Sequence, residues 1–204
     1  MMDPSFGNSA PEIEILREKV VYENNYGQLY DDDVRFSSSN AHGTYVRWVW
    51  KVPFSVAVLP LVGESKALLI KSYRHAARKV ILEAVKGFGA NAADPKTIAR
   101  AEARQEVGFE CSSLEYVGAL VADPAFNYHP THCFLGWGLL TEKGSPEESE
   151  VIEGVEEVDI YSTTSLMKSG KLQDPITLIL LWQAQQRVGE EYGTPVSRAL
   201  RDRS

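Results

Sequence analysis

Cysteine is nearly absent from this sequence, which has two of them, Cys111 and Cys133, in 204 residues. Two cysteines make no disulfide framework of the kind that holds small secreted domains together, and we expect both to be buried or free thiols. A long apolar run is also missing, since no segment approaches the roughly 18–20 residues that span a bilayer. The acidic, polar first residues do not read as a secretory signal. These absences predict a cytoplasmic protein with no membrane partner.

Positive charge is the second thing in short supply. Lysine and arginine number 21 against 28 aspartates and glutamates, which gives a formal net charge of −7. No cluster of basic residues stands out, so the balance argues against nucleic acid as a partner. The sequence has neither an internal repeat nor a low-complexity tract. Its hydrophobic content of 44% is ordinary for a globular chain long enough to bury a substantial core.

The pattern of the chain indicates three parts. We expect a flexible tail in residues 1–14, a small N-terminal β-subdomain in residues 15–52 and the main domain in residues 53–204. Strand-like runs separated by turn-rich sequence are followed by an apolar helical pattern near the end. The predicted strands are 18–23, 28–36, 44–50, 53–61, 66–73, 79–85, 114–122, 133–140 and 155–161, and the last large helix is 174–188. This order predicts an α/β/α sandwich around a mixed β-sheet.

A short helix is predicted within residues 87–109, the segment that says most about function. Asp94 is a good N-cap, Pro95 suits the first helical position, and Gly108 suits the residue just past the end. A Gly-x-Gly loop beginning at Gly87 precedes this helix. The loop is a weak signal alone and is not a P-loop, because no Gly-Lys-Ser/Thr follows it.

Two carboxylates, Glu102 and Glu106, are one turn apart on this helix and therefore face the same way. Like charges so placed cost about 0.2–0.5 kcal/mol on an isolated helix unless a cation lies between them. Mg²⁺ uses carboxylates together with backbone carbonyls and substrate phosphates, which makes a divalent metal the obvious candidate. A solvated acidic face is the alternative, and the glycine-rich loop favours the metal.

Residues 87–109 resemble the Nudix box. That pattern runs Gly, five residues, Glu, seven residues, Arg-Glu, an aliphatic, any residue, Glu-Glu, any residue, Gly and an aliphatic. The matching positions are Gly87, Glu102, Glu106 and Gly108, with Ala103 and Phe109 at the apolar places. Three positions depart from it: Ala93 replaces the first Glu, Ala101 the Arg, and Gln105 the first Glu of the Glu-Glu pair.

The flanks of the box resemble the ADP-ribose pyrophosphatase branch of the Nudix hydrolases. Residues 71–74 (KSYR) and 82–87 (LEAVKG) match its strand ending in Tyr-Arg and its Glu-x-Pro-x-Gly approach, with Val85 in place of proline. Residues 170–185 are similar to its closing helix. The resemblance implies a Nudix-type fold, a homodimer formed through the N-terminal β-subdomain, and hydrolysis of ADP-ribose or a related nucleoside diphosphate sugar with Mg²⁺ or Mn²⁺.

The resemblance also implies a set of metal ligands. These would be the backbone carbonyl of Lys86 and the side chains of Glu102, Gln105, Glu106 and Glu156. An amide carries no charge, so one metal position should be weak. In the acidic stretch that ends near residue 161, Glu156 takes the place of a metal-binding glutamate and Glu153 that of the general base. Glu106 and Glu153 are thus the candidate catalytic residues, and a solvated acidic loop is the alternative for the stretch.

Substrate contacts are suggested at five positions. Arg74 pairs with a phosphate or ties the sheet edge to an acidic segment, and Gly87 belongs to the loop. His129 is a candidate donor to phosphate, since zinc binding with His132 and Cys133 would need further ligands. Trp48 and Trp50 stack a base or pack in the dimer interface. The three departures from the box leave a second function open, a catalytically impaired protein that binds a nucleotide sugar or a protein partner.

Overall fold

The computed structural model describes residues 12–89, 93–141, 144 and 151–191. The described chain forms two units. The first comprises residues 12–52 together with Asp123–His129, and the second contains Pro53–Ala122 and the described residues from Pro130 onward. The segment 123–129, which the sequence predicts in the main domain, therefore belongs to the first unit.

The first unit is built on a four-stranded antiparallel sheet with β3 at its centre. Its strands are β1 (Ile13–Arg17), β2 (Val20–Glu23), β3 (Gly27–Phe36) and β4 (His42–Trp50). β4 pairs along one side of β3, while β1 and β2 share the other side at opposite ends. β1 begins at Ile13, inside the segment predicted as a tail. Asp32 is buried on β3, where Arg47 of β4 binds its carboxylate at 2.6 Å.

The second unit contains a seven-stranded mixed sheet in the order β11-β6-β5-β10-β9, with β7 paired to β6 and β8 to β5. β10 runs parallel to β5, and the other pairs are antiparallel. The strands are β5 (Ser55–Val62), β6 (Lys66–Arg74), β7 (Lys79–Glu83), β8 (Val85–Phe88), β9 (Phe109–Leu120), β10 (Thr131–Leu140) and β11 (Ile152–Asp159). The helices are α1 (Pro95–Val107), α2 (Thr163–Lys168) and α3 (Pro175–Glu191).

The central strand β5 separates two apolar cores. Alternate residues of a strand point to opposite faces of the sheet. Val56 and Val58 accordingly pack in the cluster that includes the apolar side of α1, while Ala57 and Leu59 pack in the cluster that includes α3. The predicted α/β/α sandwich around a mixed sheet is confirmed. Helices cover both faces of the sheet, which explains why β5 is buried throughout its middle.

Helix α1 begins and ends where the sequence predicts. The Asp94 carboxylate accepts a hydrogen bond from the Thr97 backbone N–H at 3.0 Å, and Pro95 is the first residue of the helix. Gly108 ends it with a φ of 68°, in the left-handed region that favours glycine. The buried apolar residues of the helix pack against the sheet. They set the direction in which Glu102 and Glu106 project.

The two cysteines are buried free thiols, as predicted. Burial raises the pKa of Cys133 to about 12. In the described part of the chain, no helix has the length and apolar character that crossing a membrane requires.

Candidate active site

The second unit contains a cavity of about 670 Å³. Small-molecule sites commonly span about 300–1,000 Å³, so this cavity is large enough for a nucleotide-sized ligand. Its lining comes from strands β5, β6, β8, β10 and β11, from helix α1 and from the start of α3. The charged residues that line it are Arg74, Lys86, Glu102, Glu106 and Asp174.

Helix α1 contributes both of its site carboxylates, Glu102 and Glu106, to this cavity. Glu106 is only 3% exposed. Glu102 packs directly against Gly87 of β8, where a Cβ atom would overlap the Glu102 carboxylate. A side chain at position 87 would therefore force the Glu102 carboxylate to move from this position. The sequence predicts Gly87, Glu102 and Glu106 as site residues, and the structure brings them together.

The donor set of this cavity fits a divalent cation. Mg²⁺ in proteins commonly takes one or two carboxylates and completes its shell with substrate phosphates and water, and Glu102 with Glu106 meets that requirement. Within residues 12–89, 93–141, 144 and 151–191, no group of three His, Cys, Asp or Glu side chains is placed to hold a metal. The protein ligands among the described residues are therefore few.

Three other residues, predicted as metal ligands or as the general base, are not among those that line the cavity. Gln105 is half-buried on α1, and Glu153 is exposed on β11. Glu156 lies opposite Leu69 of β6, whose side chain belongs to the core cluster that includes α3, and it forms an ion pair with Lys71 at 3.0 Å. Opposite residues of two paired strands share a face of the sheet, which accounts for this position. Their roles stay predictions. The acidic residues 147, 148 and 150 lie outside the described part of the chain.

A chain of ion pairs extends across one side of the cavity. Glu83 of β7, 1% exposed, accepts two hydrogen bonds from Arg74, from Nε at 2.6 Å and from Nη2 at 2.7 Å. The Lys86 ammonium donates to the same carboxylate at 2.9 Å and to Asp174 at 2.6 Å. Thr177 ends the chain, because its backbone N–H and its hydroxyl both donate to Asp174. The Thr177 hydroxyl oxygen in turn accepts a hydrogen bond from Ala84 N–H at 2.8 Å.

These contacts hold the groups in their charged forms. The hydrogen bonds to Glu83 raise the pKa of Arg74, against the effect of burial. Burial by itself would raise the pKa of Asp174, but the Lys86 ammonium and the hydrogen bonds from Lys86 and Thr177 lower it on balance. Sequence reasoning names neither Glu83 nor Asp174 as a site residue. The signals in the sequence are the pattern Glu-x-x-Lys at residues 83–86 and the Asp-Pro pair before the last helix.

The aromatic candidates belong to the first unit. Trp48 and Trp50 make an edge-to-face contact with ring centroids 5.7 Å apart, and His129 lies 5.5 Å from the Trp50 ring. Burial lowers the pKa of His129, so this imidazole is neutral over more of the physiological pH range. Their role in substrate binding stays a prediction.

Comparisons with known proteins agree with this fold. No protein-family model matches the chain. The sequence is 27% identical over 168 residues to the ADP-ribose pyrophosphatase of Bacillus subtilis (strain 168), covering 81% of this chain and 89% of that protein. It is 23% identical over 176 residues to the methanol dehydrogenase activator of Bacillus methanolicus, covering 85% of this chain and 93% of that protein.

A solved structure of an ADP compounds hydrolase has the same fold. It superposes with a TM-score of 0.74 at 18% sequence identity and covers 91% of this chain and 98% of the other. The sequence matches span most of each chain, and the predicted fold class and the ends of the box helix are both seen in the structure. The chain is therefore similar in sequence and in fold to these proteins, which supports its resemblance to the Nudix superfamily.

Proposed function

We propose that the protein is a metal-dependent hydrolase of the pyrophosphate bond in ADP-ribose or a related nucleoside diphosphate sugar. The products are a nucleoside monophosphate and a sugar phosphate. The observation that carries the proposal is the pair of glutamates one turn apart, Glu102 and Glu106, on the wall of a nucleotide-sized cavity. The names of two similar proteins, an ADP-ribose pyrophosphatase and an ADP compounds hydrolase, support the same class of substrate.

The charge of the cavity supports a requirement for metal. Among the described residues, four carboxylates line it or lie beneath its cations: Glu83, Glu102, Glu106 and Asp174. They face two side-chain cations, Arg74 and Lys86, so the formal net charge of this set is −2. A diphosphate is itself an anion and would be repelled by this set. One divalent cation brings the set to neutrality and so allows the ligand to enter.

The residues of the chain divide the work as follows. Glu102 and Glu106 would hold Mg²⁺ or Mn²⁺, which when bound neutralises phosphate charge and activates a water. Arg74 offers guanidinium N–H groups to phosphate oxygens while Glu83 fixes its plane. We retain the Lys86 carbonyl, Gln105 and Glu156 as predicted ligands and Glu153 as the predicted general base. Gly87 leaves space for the Glu102 carboxylate. The cytoplasmic location stays a prediction.

The test is release of nucleoside monophosphate from a panel of nucleotide sugars that varies the base and the sugar separately. We expect turnover of ADP-ribose or a close relative with Mg²⁺ or Mn²⁺, and none after chelation by EDTA. Turnover that persists in EDTA would exclude the metal-dependent mechanism. The absence of turnover for every member of the panel, with ligand binding that needs no metal, would exclude the hydrolase.

A second candidate function is binding without hydrolysis. It is favoured by the absence, in the described ranges, of a third carboxylate, histidine or cysteine able to share a metal with Glu102 and Glu106. The name of the Bacillus methanolicus protein, an activator, supports a protein partner in place of a chemical reaction. The same panel separates the two functions, because a binding protein gives a heat of binding in calorimetry without producing nucleoside monophosphate.

We also propose that the chain forms a homodimer through the sheet of the first unit. Large apolar side chains are exposed on three of its four strands, among them Ile15, Val20, Tyr22, Tyr45 and Val46. Apolar side chains exposed together on a surface mark an interaction site when they form a contiguous patch. Sedimentation analysis should give twice the 22.7 kDa mass of the chain. A monomer at micromolar concentration would contradict the proposal.

A further inference from the structure

We propose that the Lys86 side chain binds a phosphate group of the ligand, an inference that rests on the proposed function. The resemblance assigns a role only to the backbone carbonyl of this residue. The side chain has a separate position, since it lines the cavity and is 21% exposed. Its contacts carry the inference.

The Lys86 ammonium has one donor left for a ligand. An ammonium carries three N–H groups. Two of them have acceptors, the carboxylates of Glu83 and Asp174 at 2.9 and 2.6 Å. Among the described residues no third acceptor contacts it. The third N–H is therefore available to a ligand, and Lys86 is among the residues that line the cavity.

The position of the Lys86 ammonium is fixed by two carboxylates that other residues hold in place. Thr177 holds the Asp174 carboxylate with two hydrogen bonds, and Arg74 holds the Glu83 carboxylate with two more. A lysine side chain is flexible when it has no partners, and ordering it on binding costs entropy. Here the Glu83 and Asp174 carboxylates already hold the lysine. The entropy of ordering its side chain is therefore lost when the protein folds and not when the ligand binds. This is the preorganisation that a binding site requires.

Arg74 supplies a neighbouring cation. Its Nη2 and the Lys86 ammonium both donate to Oε2 of Glu83, so the two cations are adjacent. Arg74 uses two of its five N–H groups on Glu83, and no other residue in the described part of the chain accepts from it. Phosphate is the ligand chemistry that matches, because its several charged oxygens accept from two cations at once. A single carboxylate of Glu83 thus orients both donors.

The experiment measures binding of two phosphate monoesters, AMP and ribose 5-phosphate, by calorimetry with saturating Ca²⁺. The test protein carries Lys86→Met with Asp174→Asn. This double variant removes an ammonium and a carboxylate together, so the net charge of the cavity is unchanged and no buried charge is left without its partner. Asparagine caps a helix as well as aspartate does, which preserves the start of α3. We expect Kd to rise at least about 10-fold for one or both monoesters.

A matched pair of controls isolates the effect. Lys66→Met with Asp159→Asn removes a lysine–aspartate pair, 3.8 Å apart in the same unit, from residues that do not line the cavity. It should leave both Kd values within about twofold of the original. Asp174→Asn alone keeps the ammonium and should bind the anions as tightly as before or more tightly.

Two results would overturn the inference. One is a Kd for both monoesters unchanged by the Lys86 double variant, and the other is an equal loss in the Lys66 double variant. The experiment measures binding and not turnover. The test therefore applies to an active hydrolase and equally to a protein that binds without hydrolysis. Turnover of nucleotide sugars with unchanged binding in the Lys86 variant would reject this inference and leave the proposed function standing.

Discussion

Replacing Glu106 with glutamine is expected to lower the rate of nucleotide-sugar hydrolysis by at least about 100-fold while the protein stays folded. Glu106 is buried on the wall of the cavity, where its carboxylate is one of two on α1. Glutamine has nearly the same shape but no charge, so it weakens the hold on a divalent cation without leaving a void. Removing one hydrogen-bond donor from an oxyanion hole lowers the rate by about 10²–10³, and we take this magnitude for a buried carboxylate that holds a metal. Initial rates with Mg²⁺ and Mn²⁺ measure the effect, and Mn²⁺ titration measures the metal affinity directly.

The control for this variant is Glu110→Gln. Glu110 lies just beyond α1, half-exposed, and forms an ion pair with Arg104 at 3.0 Å outside the cavity. It removes one negative charge from the same region, so a general change in the field of the protein would affect both variants equally. We expect Glu110→Gln to retain activity within about twofold. Normal rates for the Glu106→Gln variant would contradict the proposal that Glu106 of α1 binds the catalytic metal.

The second large effect is on stability. Replacing Glu83 with glutamine is expected to lower the free energy of unfolding by about 3 kcal/mol. Its carboxylate is almost completely buried and forms ion pairs with two cations, Arg74 and Lys86. Removing one partner of a buried ion pair leaves uncompensated charge, which typically costs about 3–5 kcal/mol. We take the lower end because Asp174 still binds Lys86 and because Arg74 is 46% exposed. Urea denaturation at neutral pH measures the change.

A surface ion pair provides the comparison. Glu115 accepts a hydrogen bond from Arg187 at 2.7 Å, but both side chains are more than a third exposed. Exposed pairs contribute roughly 0–1 kcal/mol, so Glu115→Gln should have a small effect. Similar losses for the two variants would mean that burial of Glu83 does not determine its contribution.

The helices and the sheet could be read from local patterns. Asp94 and Gly108 are local signals, and each ends α1 as predicted. The apolar spacing of Ile176, Leu180 and Leu181 places all three in the core beneath α3. Such features depend on residues within a few positions of each other, and a single sequence contains that information.

The site was harder to predict because its geometry depends on strand register. Glu156 is a reasonable partner for Glu102 and Glu106 by its place in an acidic stretch. A shift of one residue in a paired strand moves a side chain to the other face of the sheet, and β11 has such an irregularity between Ile152 and Gly154. Pairings across long separations are not encoded in any short window of sequence. For the same reason the contacts of Glu83 and Asp174 could not be foreseen.

The hydrogen bond between Ala84 and Thr177 joins residues 93 positions apart in the chain. Closing a loop of this length costs conformational entropy, which the contacts of the docked helix α3 must offset. A partly folded chain in which β8 is in place and α3 is undocked would have no Asp174 beneath the Lys86 ammonium. The two halves of the cavity therefore depend on different contacts. Its glutamate side depends on the contacts of α1, and its cationic side is completed only when the last helix docks.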